Sequence, residues 1–317
     1  MPSSAAVPIR VGTAGWSYED WKGIVYPKRA PSGFDPLAFL ASLFDTNEIN
    51  STFYRIPAIQ ATKSWARRVA HNPRFAFTAK LFRGFTHERT AGSPEEKEFL
   101  SAMEPLARDG RLAGVLVQFP VSFRNTEDNR GSLAGILDRF RALPLAAEFR
   151  HDSWDREDAR DLIAQRGAVF VNIDQPWIGD NLRNTDYVAP GRAYYRFHGR
   201  NAPKWFGPNT SNEERYNYLY TPSQIEKTAA RVQGASREAA RAGGAARKGA
   251  AGTSGVSAIF NNHFRGQAVA NAIQLQHTLT GELVAVPETL RMTYPALAGI
   301  TEAVHAASSS KQPKLFG

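Results

Sequence analysis

Eight short runs of β-forming residues recur along the 317-residue chain, with helical patterns between most of them. The runs cover residues 9–16, 47–54, 74–81, 112–119, 145–150, 168–174, 192–198 and 256–262. In residues 36–44, 59–70 and 133–143, apolar residues recur at three- and four-residue spacing, which predicts helices with one buried face. Strand and helix in eight-fold alternation predict an α/β fold, a (β/α)8 TIM barrel of parallel strands. A doubly wound open sheet is the alternative, but the glycine-rich phosphate turn typical of that class does not follow the first run.

One barrel domain accounts for most of the length, since such a barrel takes about 250 residues. We expect it to span residues 9–281, after a disordered N-terminus (1–8) and before a C-terminal extension and tail (282–317). Residues 233–255 are rich in Ala, Gly and Arg. That low-complexity composition predicts a flexible insertion before the last strand, or a frayed extension of a helix.

Composition excludes several classes of site. The chain has no Cys, which excludes disulfides, thiolate metal sites and a Cys nucleophile. It has no apolar run of about 18 residues and no secretory signal in residues 1–8, so we expect a cytoplasmic protein without a membrane partner. The net charge of +9 favours contact with nucleic acid or another polyanion, but an Arg-rich composition explains it equally well.

Polar side chains recur near the C-terminal ends of the predicted strands. Because successive strand residues point to opposite faces, we expect them to face the lumen and converge into a charge-rich cup, where barrel enzymes place their chemistry. A salt-bridge network that only fills the lumen remains the alternative. The candidates are Glu48, Asn50, Lys80, Gln118, Glu148, Arg150, Asp174, Arg196, His198, Arg200, Asn261 and Asn262.

Cations slightly outnumber carboxylates among these residues, which favours an anionic ligand such as a phosphate or a carboxylate. We predict a hydrolase or lyase in which Glu48 and Glu148 form the acid–base pair, Lys80 tunes them and His198 shuttles protons. Residues expected to bind the substrate are Trp16, Asn50, Tyr54, Gln118, Arg150, Asp174, Arg200, Asn261 and Asn262.

Two other functions remain open for the same cup. No cofactor is expected, but Glu48, Glu148, Asp174 and His198 could bind a divalent metal such as Zn or Mn. Lys80 and Arg150 would oppose such a cation, and the HExxH pattern is absent. A non-catalytic module that captures a small anion or a nucleotide is the third possibility.

Seven sequence blocks carry a family resemblance. In order, they read VGTAGWSYEDWKGIVYP, EINSTFY, FTAKLFRGFTHER, VLVQFP, AAEFRHDSW, YYRFHGR and IFNNHFRGQAVANA. Together they resemble the YecE-like family, also called domain of unknown function 72, from about residue 9 to residue 279. The resemblance implies a TIM barrel with no established activity. The family's motif residues present here are Trp16, Glu48, Asn50, Tyr54, Lys80, His87, Gln118, Glu148, Arg150, His198, Arg200, Asn261 and Asn262.

The C-terminal tail suggests a partner. Residues 312–317 read QPKLFG, which resembles the bacterial sliding-clamp-binding peptide, roughly Q-x-x-L-F. In that mode Gln312 would enter a polar pocket, and Leu315 and Phe316 an apolar one. Such a partner would place the protein in DNA maintenance, for example as a metal-dependent phosphodiesterase. An apolar tail that docks on its own barrel is the alternative.

Overall fold

The computed structural model describes residues 6–205, 210–243 and 254–304. Eight parallel strands close into a barrel in chain order, and the last pairs with the first. This closed sheet confirms the predicted TIM barrel. The strands are β1 (Ile9–Ala14), β2 (Thr46–Ile49), β3 (Ala76–Lys80), β4 (Leu112–Gln118), β5 (Leu145–Glu148), β6 (Val169–Asp174), β7 (Arg192–Phe197) and β8 (Gly255–Phe260).

Helices surround the barrel. Most of the segments predicted to be helical from their apolar spacing coincide with one of these helices. The helices are α1 (Pro36–Leu43), α2 (Ile59–Arg68), α3 (Arg83–Thr86), α4 (Ser93–Arg108), α5 (Glu127–Arg139), α6 (Glu157–Ala164), α7 (Ala202–Trp205), α8 (Asn212–Arg215), α9 (Pro222–Gly243), α10 (Gln267–Thr280) and α11 (Glu288–Thr293). Helix α5 begins before the predicted segment because the Thr126 side chain caps it, accepting a hydrogen bond from the backbone N–H of Asn129.

The apolar core lies between the outer face of the barrel and these helices. On the side of β7 and β8, the rings of Phe197 and Phe260 lie 4.8 Å apart and pack in one buried cluster with Val232 of α9 and Ile273 of α10. Strands β1 and β2 approach closely at Gly12, where a Cβ atom would lie 1.9 Å from the carbonyl oxygen of Thr46. Only glycine fits at that position.

The second predicted strand was too long. Strand β2 ends at Ile49, and Ser51–Phe53 form a single 3-10 turn. The Thr52 hydroxyl donates to the carbonyl oxygens of Ile49 (3.0 Å) and Lys80 (2.7 Å). This turn therefore ties the end of β2 to the end of β3.

The N-terminus was expected to be disordered, and residues 233–255 were expected to form either a flexible insertion or a frayed extension of a helix. Val7 donates its N–H to the carbonyl oxygen of Ser236 (3.3 Å), although the N-terminus was expected to be disordered up to residue 8. Helix α9 continues to Gly243, because Ala235 and Ala239 form a buried face that the composition did not reveal. The rest of the predicted insertion, residues 244–253, lies outside the described residues.

The C-terminal extension adds a small parallel sheet of β9 (Val284–Pro287) and β10 (Thr301–Val304). The predicted clamp-binding residues Gln312, Leu315 and Phe316 lie outside the described residues. None of the helices in the described ranges is long and apolar enough to cross a membrane.

Candidate functional site

The pairing register decides which strand residues face the lumen. Arg196 of β7 is level with Ile173 of β6 and with Ile259 of β8. Side chains at the same level share a face, so these three positions point inward together. The same alternation turns Glu48, Lys80 and Glu148 into the lumen from β2, β3 and β5. They form the floor and wall of a cup at the C-terminal end of the barrel.

Arg196 is the centre of the floor. Its Nε and Nη2 donate to Oε2 and Oε1 of Glu48 (2.9 and 2.7 Å), and its Nη1 donates to Oε2 of Glu148 (2.5 Å). The Tyr194 hydroxyl completes the shell of Glu48, donating to its Oε2 at 2.6 Å. All three charged side chains have no exposed surface. The floor is therefore a closed ionic network, in which each buried charge has a partner.

Glu148 joins the floor to the open part of the cup. Its Oε1 lies 2.8 Å from Nη2 of Arg150, a side chain that remains 12% exposed. This ion pair lacks good hydrogen-bond alignment, and Oε1 accepts no hydrogen bond from the described residues. Although burial opposes the charged form, Arg196 and Arg150 hold the pKa of Glu148 well below its usual range. Glu148 is a fixed carboxylate and a poor proton donor.

His198 follows β7 and lies against the same carboxylate. Its Nε2 is 3.6 Å from Oε1 of Glu148, and its Nδ1 is 3.0 Å from Nδ2 of Asn261. Burial, followed by the charges of Arg150 and Arg196, holds the pKa of His198 well below its usual range. The Nη1 of Arg196, a group that can only donate a hydrogen bond, lies 3.4 Å from the same Nε2. His198 is thus a neutral ring packed between Glu148, Arg196 and Asn261, and its role as a proton shuttle stays a prediction.

Lys80 is the cationic side chain of the cup that has no carboxylate partner within 4 Å among the described residues. Its Nζ lies 5.5 Å from the centre of the Phe53 ring, and the side chain is partly exposed. Burial and then the charge of Arg196 lower the pKa of Lys80 to about 8, although Glu48 and Glu148 oppose the shift. About a tenth of such amines are neutral at pH 7, compared with less than a thousandth for an ordinary lysine.

Asp174 faces away from the lumen, so its predicted place in the cup is wrong. Its carboxylate accepts from Nε and Nη2 of Arg200 (2.8 and 2.6 Å) and from the Tyr220 hydroxyl (3.0 Å). Ile173 takes the inward position on β6, which turns its neighbour Asp174 towards the helices. The guanidinium of Arg200 is engaged there, and this pair ties β6 to the loop after β7.

Asn262 also lies on the helix side of the barrel, contrary to the predicted inward position. Its Nδ2 donates to the carbonyl oxygen of Tyr218 (2.8 Å) and to Oδ1 of Asn271 on α10 (2.9 Å). Its neighbour Asn261 faces the lumen instead and contacts His198. The adjacent residues Asn261 and Asn262 therefore lie on opposite faces of the barrel wall.

The remaining predicted binding residues lie on the wall and the rim of the cup. Asn50 donates to the Tyr18 hydroxyl (3.3 Å), and its Oδ1 is buried without a partner in the described chain. Oε1 of Gln118 is likewise unpartnered. Trp16 packs edge-on against Trp65 with ring centres 5.8 Å apart, whereas Tyr54 is 66% exposed on the rim. Two unused acceptors in a cup that also holds the amine of Lys80 suit a ligand that carries both hydroxyl and anionic groups.

Comparison with known proteins identifies the family. A family model described as "Protein of unknown function DUF72" matches residues 10–293, which is most of the chain. The chain belongs to the DUF72 family. The UPF0759 protein YunF of Bacillus subtilis (strain 168) is 29% identical over 236 residues, covering 69% of this chain and 80% of its own length.

Solved DUF72 structures share the fold. A DUF72 family protein of Thermotoga maritima MSB8 is 31% identical, with a TM-score of 0.70 over 86% of this chain and 99% of its own. A DUF72 family protein of Enterococcus faecalis V583 is 27% identical, with a TM-score of 0.72 over 86% of this chain and 95% of its own. The family has no established activity to transfer, so function has to be argued from the site.

Several residues of this DUF72 site were missed by the sequence reasoning. Tyr194 bridges Glu48 and Thr78, and Gln175 accepts from Nη1 of Arg150 at 2.8 Å. Tyr194 could have been found, because it precedes Arg196 by two residues on the same strand and must share its face. Gln175 follows β6 in a loop, where residue alternation gives no signal.

An aromatic wall completes the cup. Trp205, Tyr216 and His263 follow one another with ring centres 6.1 and 5.3 Å apart, and His263 stacks on Tyr18 at 4.5 Å. The guanidinium of Arg150 lies 5.9 Å from the centre of the Trp205 ring. One side of this DUF72 cup is therefore aromatic, while the side of Lys80 and Arg150 is cationic.

The predicted metal ligands do not form a metal site. Asp174 points away from Glu48, Glu148 and His198, and both carboxylates are already paired with arginines. Across residues 6–205, 210–243 and 254–304, no group of three His, Asp or Glu side chains is arranged to hold a metal ion. The donor set of this DUF72 cup does not fit a divalent metal.

Proposed function

We propose that this DUF72 barrel is an enzyme that binds a small anionic substrate in its cup and cleaves it as a lyase, with Lys80 as the proton-transferring group. The observation that carries the proposal is the amine of Lys80, which has no carboxylate partner in the described part of the chain, beside a floor whose carboxylates are both held by arginines. Arginine keeps its charge at all relevant pH values, so Glu48 and Glu148 stay paired and ionised. The carboxylates of the floor therefore do not take up the proton that Lys80 releases.

The charge balance supports an anionic substrate. Once Asp174 and Arg200 are assigned to the outer wall, Glu48 and Glu148 face three cations, Lys80, Arg150 and Arg196. A phosphate or carboxylate would neutralise the surplus, and the partly exposed guanidinium of Arg150 suits bidentate contact with either.

Lyase chemistry is favoured over hydrolysis by the burial of the predicted acid–base pair. Glu48 and Glu148 have no exposed surface and would have to leave their ion pairs to reach a substrate or a water molecule. A neutral amine can instead take a proton from the carbon next to a carbonyl group. That step breaks a carbon–hydrogen bond and allows a leaving group on the next carbon to be eliminated.

Anion binding is tested by calorimetric titration of the full chain with inorganic phosphate and with pyruvate. We expect Arg150→Gln to weaken binding about ten- to a hundredfold, the loss typical of a charged hydrogen bond. Arg183→Gln is the matched control, because Arg183 is exposed and stacks on Trp177 at 4.2 Å. Equal affinity in all three proteins, or no binding to any, would contradict an anionic substrate in the cup.

Catalysis is tested by proton NMR of pyruvate incubated with the protein in deuterium oxide. We expect the methyl signal to disappear faster with the wild type than with Lys80→Gln, because the amine abstracts a proton next to the carbonyl group. Lys97→Gln, on the exposed face of α4, should exchange like the wild type. Tight anion binding without any exchange would identify a non-catalytic binding module.

A further inference from the structure

The geometry around Lys80 allows a more specific chemistry than proton transfer. A lysine in a lumen that contains two carboxylates would normally pair with one of them. Here Arg196 engages both oxygens of Glu48, while Arg196 and Arg150 occupy the two oxygens of Glu148. The arginines thereby leave the amine without a carboxylate partner among residues 6–205, 210–243 and 254–304, although both carboxylates are near enough to act on it electrostatically.

The position of the amine suits attack on a bound substrate. Lys80 is the last residue of β3, and its carbonyl oxygen accepts from the Thr52 hydroxyl at 2.7 Å, which fixes the base of the side chain. The Lys80 side chain then passes over the Phe53 ring, with Nζ 5.5 Å from the ring centre. The amine therefore extends from a rigid strand end along an apolar surface, and is not carried on a loop.

We infer that Lys80 is a covalent catalytic residue whose Nζ forms a Schiff base with the carbonyl carbon of an anionic aldehyde or ketone. The inference rests on the proposed function and names its substrate class. A desolvated lysine beside other cationic groups is a general way to make an amine nucleophilic. Arg150 and Arg196 supply the cationic neighbours, and Phe53 supplies the apolar one.

The step balances without a further reactant. The neutral amine attacks the carbonyl carbon, the C=O bond breaks, and a C=N bond forms. The carbonyl oxygen leaves as water, whose two hydrogens derive from the amine and pass through solvent. The imine nitrogen then takes up the proton that the ammonium form of Lys80 released to become neutral. The protonated imine therefore carries the same single charge as the ammonium, and Glu48 and Glu148 face the same surplus cation before and after the step. No electrons are gained or lost, and hydrolysis returns the amine.

The test is reductive trapping of the full wild-type chain with sodium cyanoborohydride. The probes are pyruvate and dihydroxyacetone phosphate, which present a ketone with a carboxylate and with a phosphate. Peptide mass mapping should find one adduct per chain on Lys80. We expect its rate to be about a hundredfold above that of an ordinary surface lysine, because the amine of Lys80 is more often neutral. The preferred probe distinguishes a carboxylate from a phosphate substrate.

Controls separate this inference from the proposed function. Lys80→Gln should abolish the adduct and Lys97→Gln should leave it unchanged, while peptide mapping of the wild type gives the result even if a variant fails to fold. Adducts spread evenly over surface lysines, or none on Lys80, would overturn the Schiff base. If anions still bind and the methyl protons of pyruvate still exchange, the proposed function survives that result. If binding and exchange are also absent, both proposals fail.

Discussion

Arg196 and Glu48 form a two-point ion pair across the lumen, from β7 to β2, with donor–acceptor distances of 2.9 and 2.7 Å and no exposed surface on either side chain. The third guanidinium nitrogen reaches Glu148 on β5. One side chain thus connects three strands, so the charges beneath the cup are fixed by the barrel itself. Although burial disfavours its charged form, these carboxylates raise the pKa of Arg196 above its ordinary value.

We expect Arg196→Met to lower the free energy of unfolding by about 3–5 kcal/mol, because it leaves two buried carboxylates without their partner. Urea unfolding at pH 7 measures the loss. The triple variant Glu48→Gln, Glu148→Gln, Arg196→Met should regain most of it, since no unpaired charge remains. A single variant as stable as the wild type would show that solvent reaches the floor and that the network is not closed.

The charges of Glu148 and Arg150 should move the pKa of Lys80 in opposite directions. Glu148→Gln removes an anion that raises this pKa, so we expect a value below 8; Arg150→Gln removes a cation and should raise it. The rate at which trinitrobenzenesulfonate labels the Lys80 peptide, followed against pH by mass spectrometry, reports both shifts. Shifts in the same direction would mean that the variants act by changing burial and not by charge.

The fold was predictable because the hydrophobic pattern repeats eight times. Which residues of β6 face the lumen was not predictable. Strand β6 reads VFVNID, with apolar residues on both faces near its start and a polar residue at two alternating positions near its end. The face on which each β6 residue lies depends on the pairing with β7, where Ile173 is level with Arg196. The sequence of one strand does not reveal that register. Asp174 was therefore predicted to face the lumen, whereas it faces the helices.

The residues that form the candidate site were predicted better than the role of each residue. The positions of Glu48, Lys80 and Glu148 follow from strand alternation, which the sequence displays. Their chemistry depends on which carboxylate each arginine selects, and that choice is made by distances across the barrel between residues far apart in the chain. Arg196 was counted as one cation among several, whereas its contacts leave Lys80 without a carboxylate partner among the residues that the structure describes.

His263 should make the protein sensitive to acid. Burial, supported by the charge of Lys80 and opposed by Asp20, lowers the pKa of His263 to about 4 from an ordinary value of 6.5. Between these values the unfolded chain binds the proton and the folded chain does not, so stability falls as pH falls from 6.5 to 4, by up to about 3 kcal/mol. We expect His263→Gln to flatten this decline in urea unfolding, whereas His71→Gln, at an exposed position, should not. Parallel declines in all three proteins would assign the acid sensitivity to other groups.

Lys80 should reduce the stability of the fold at neutral pH, as expected of a group kept for chemistry. Its pKa falls from 10.5 to about 8 on folding, so below pH 8 the folded chain carries the ammonium at a disadvantage. We therefore expect Lys80→Met to be more stable than the wild type at pH 7, by about 2–3 kcal/mol in urea unfolding. As pH rises from 8 to 10.5 the unfolded lysine loses its preference for the proton, so the difference should shrink towards zero. Lys97→Met, at an exposed site, should match the wild type at both pH values. A Lys80→Met protein that is less stable at pH 7 would show that the ammonium stabilises the cup, which would remove the physical basis for a reactive amine.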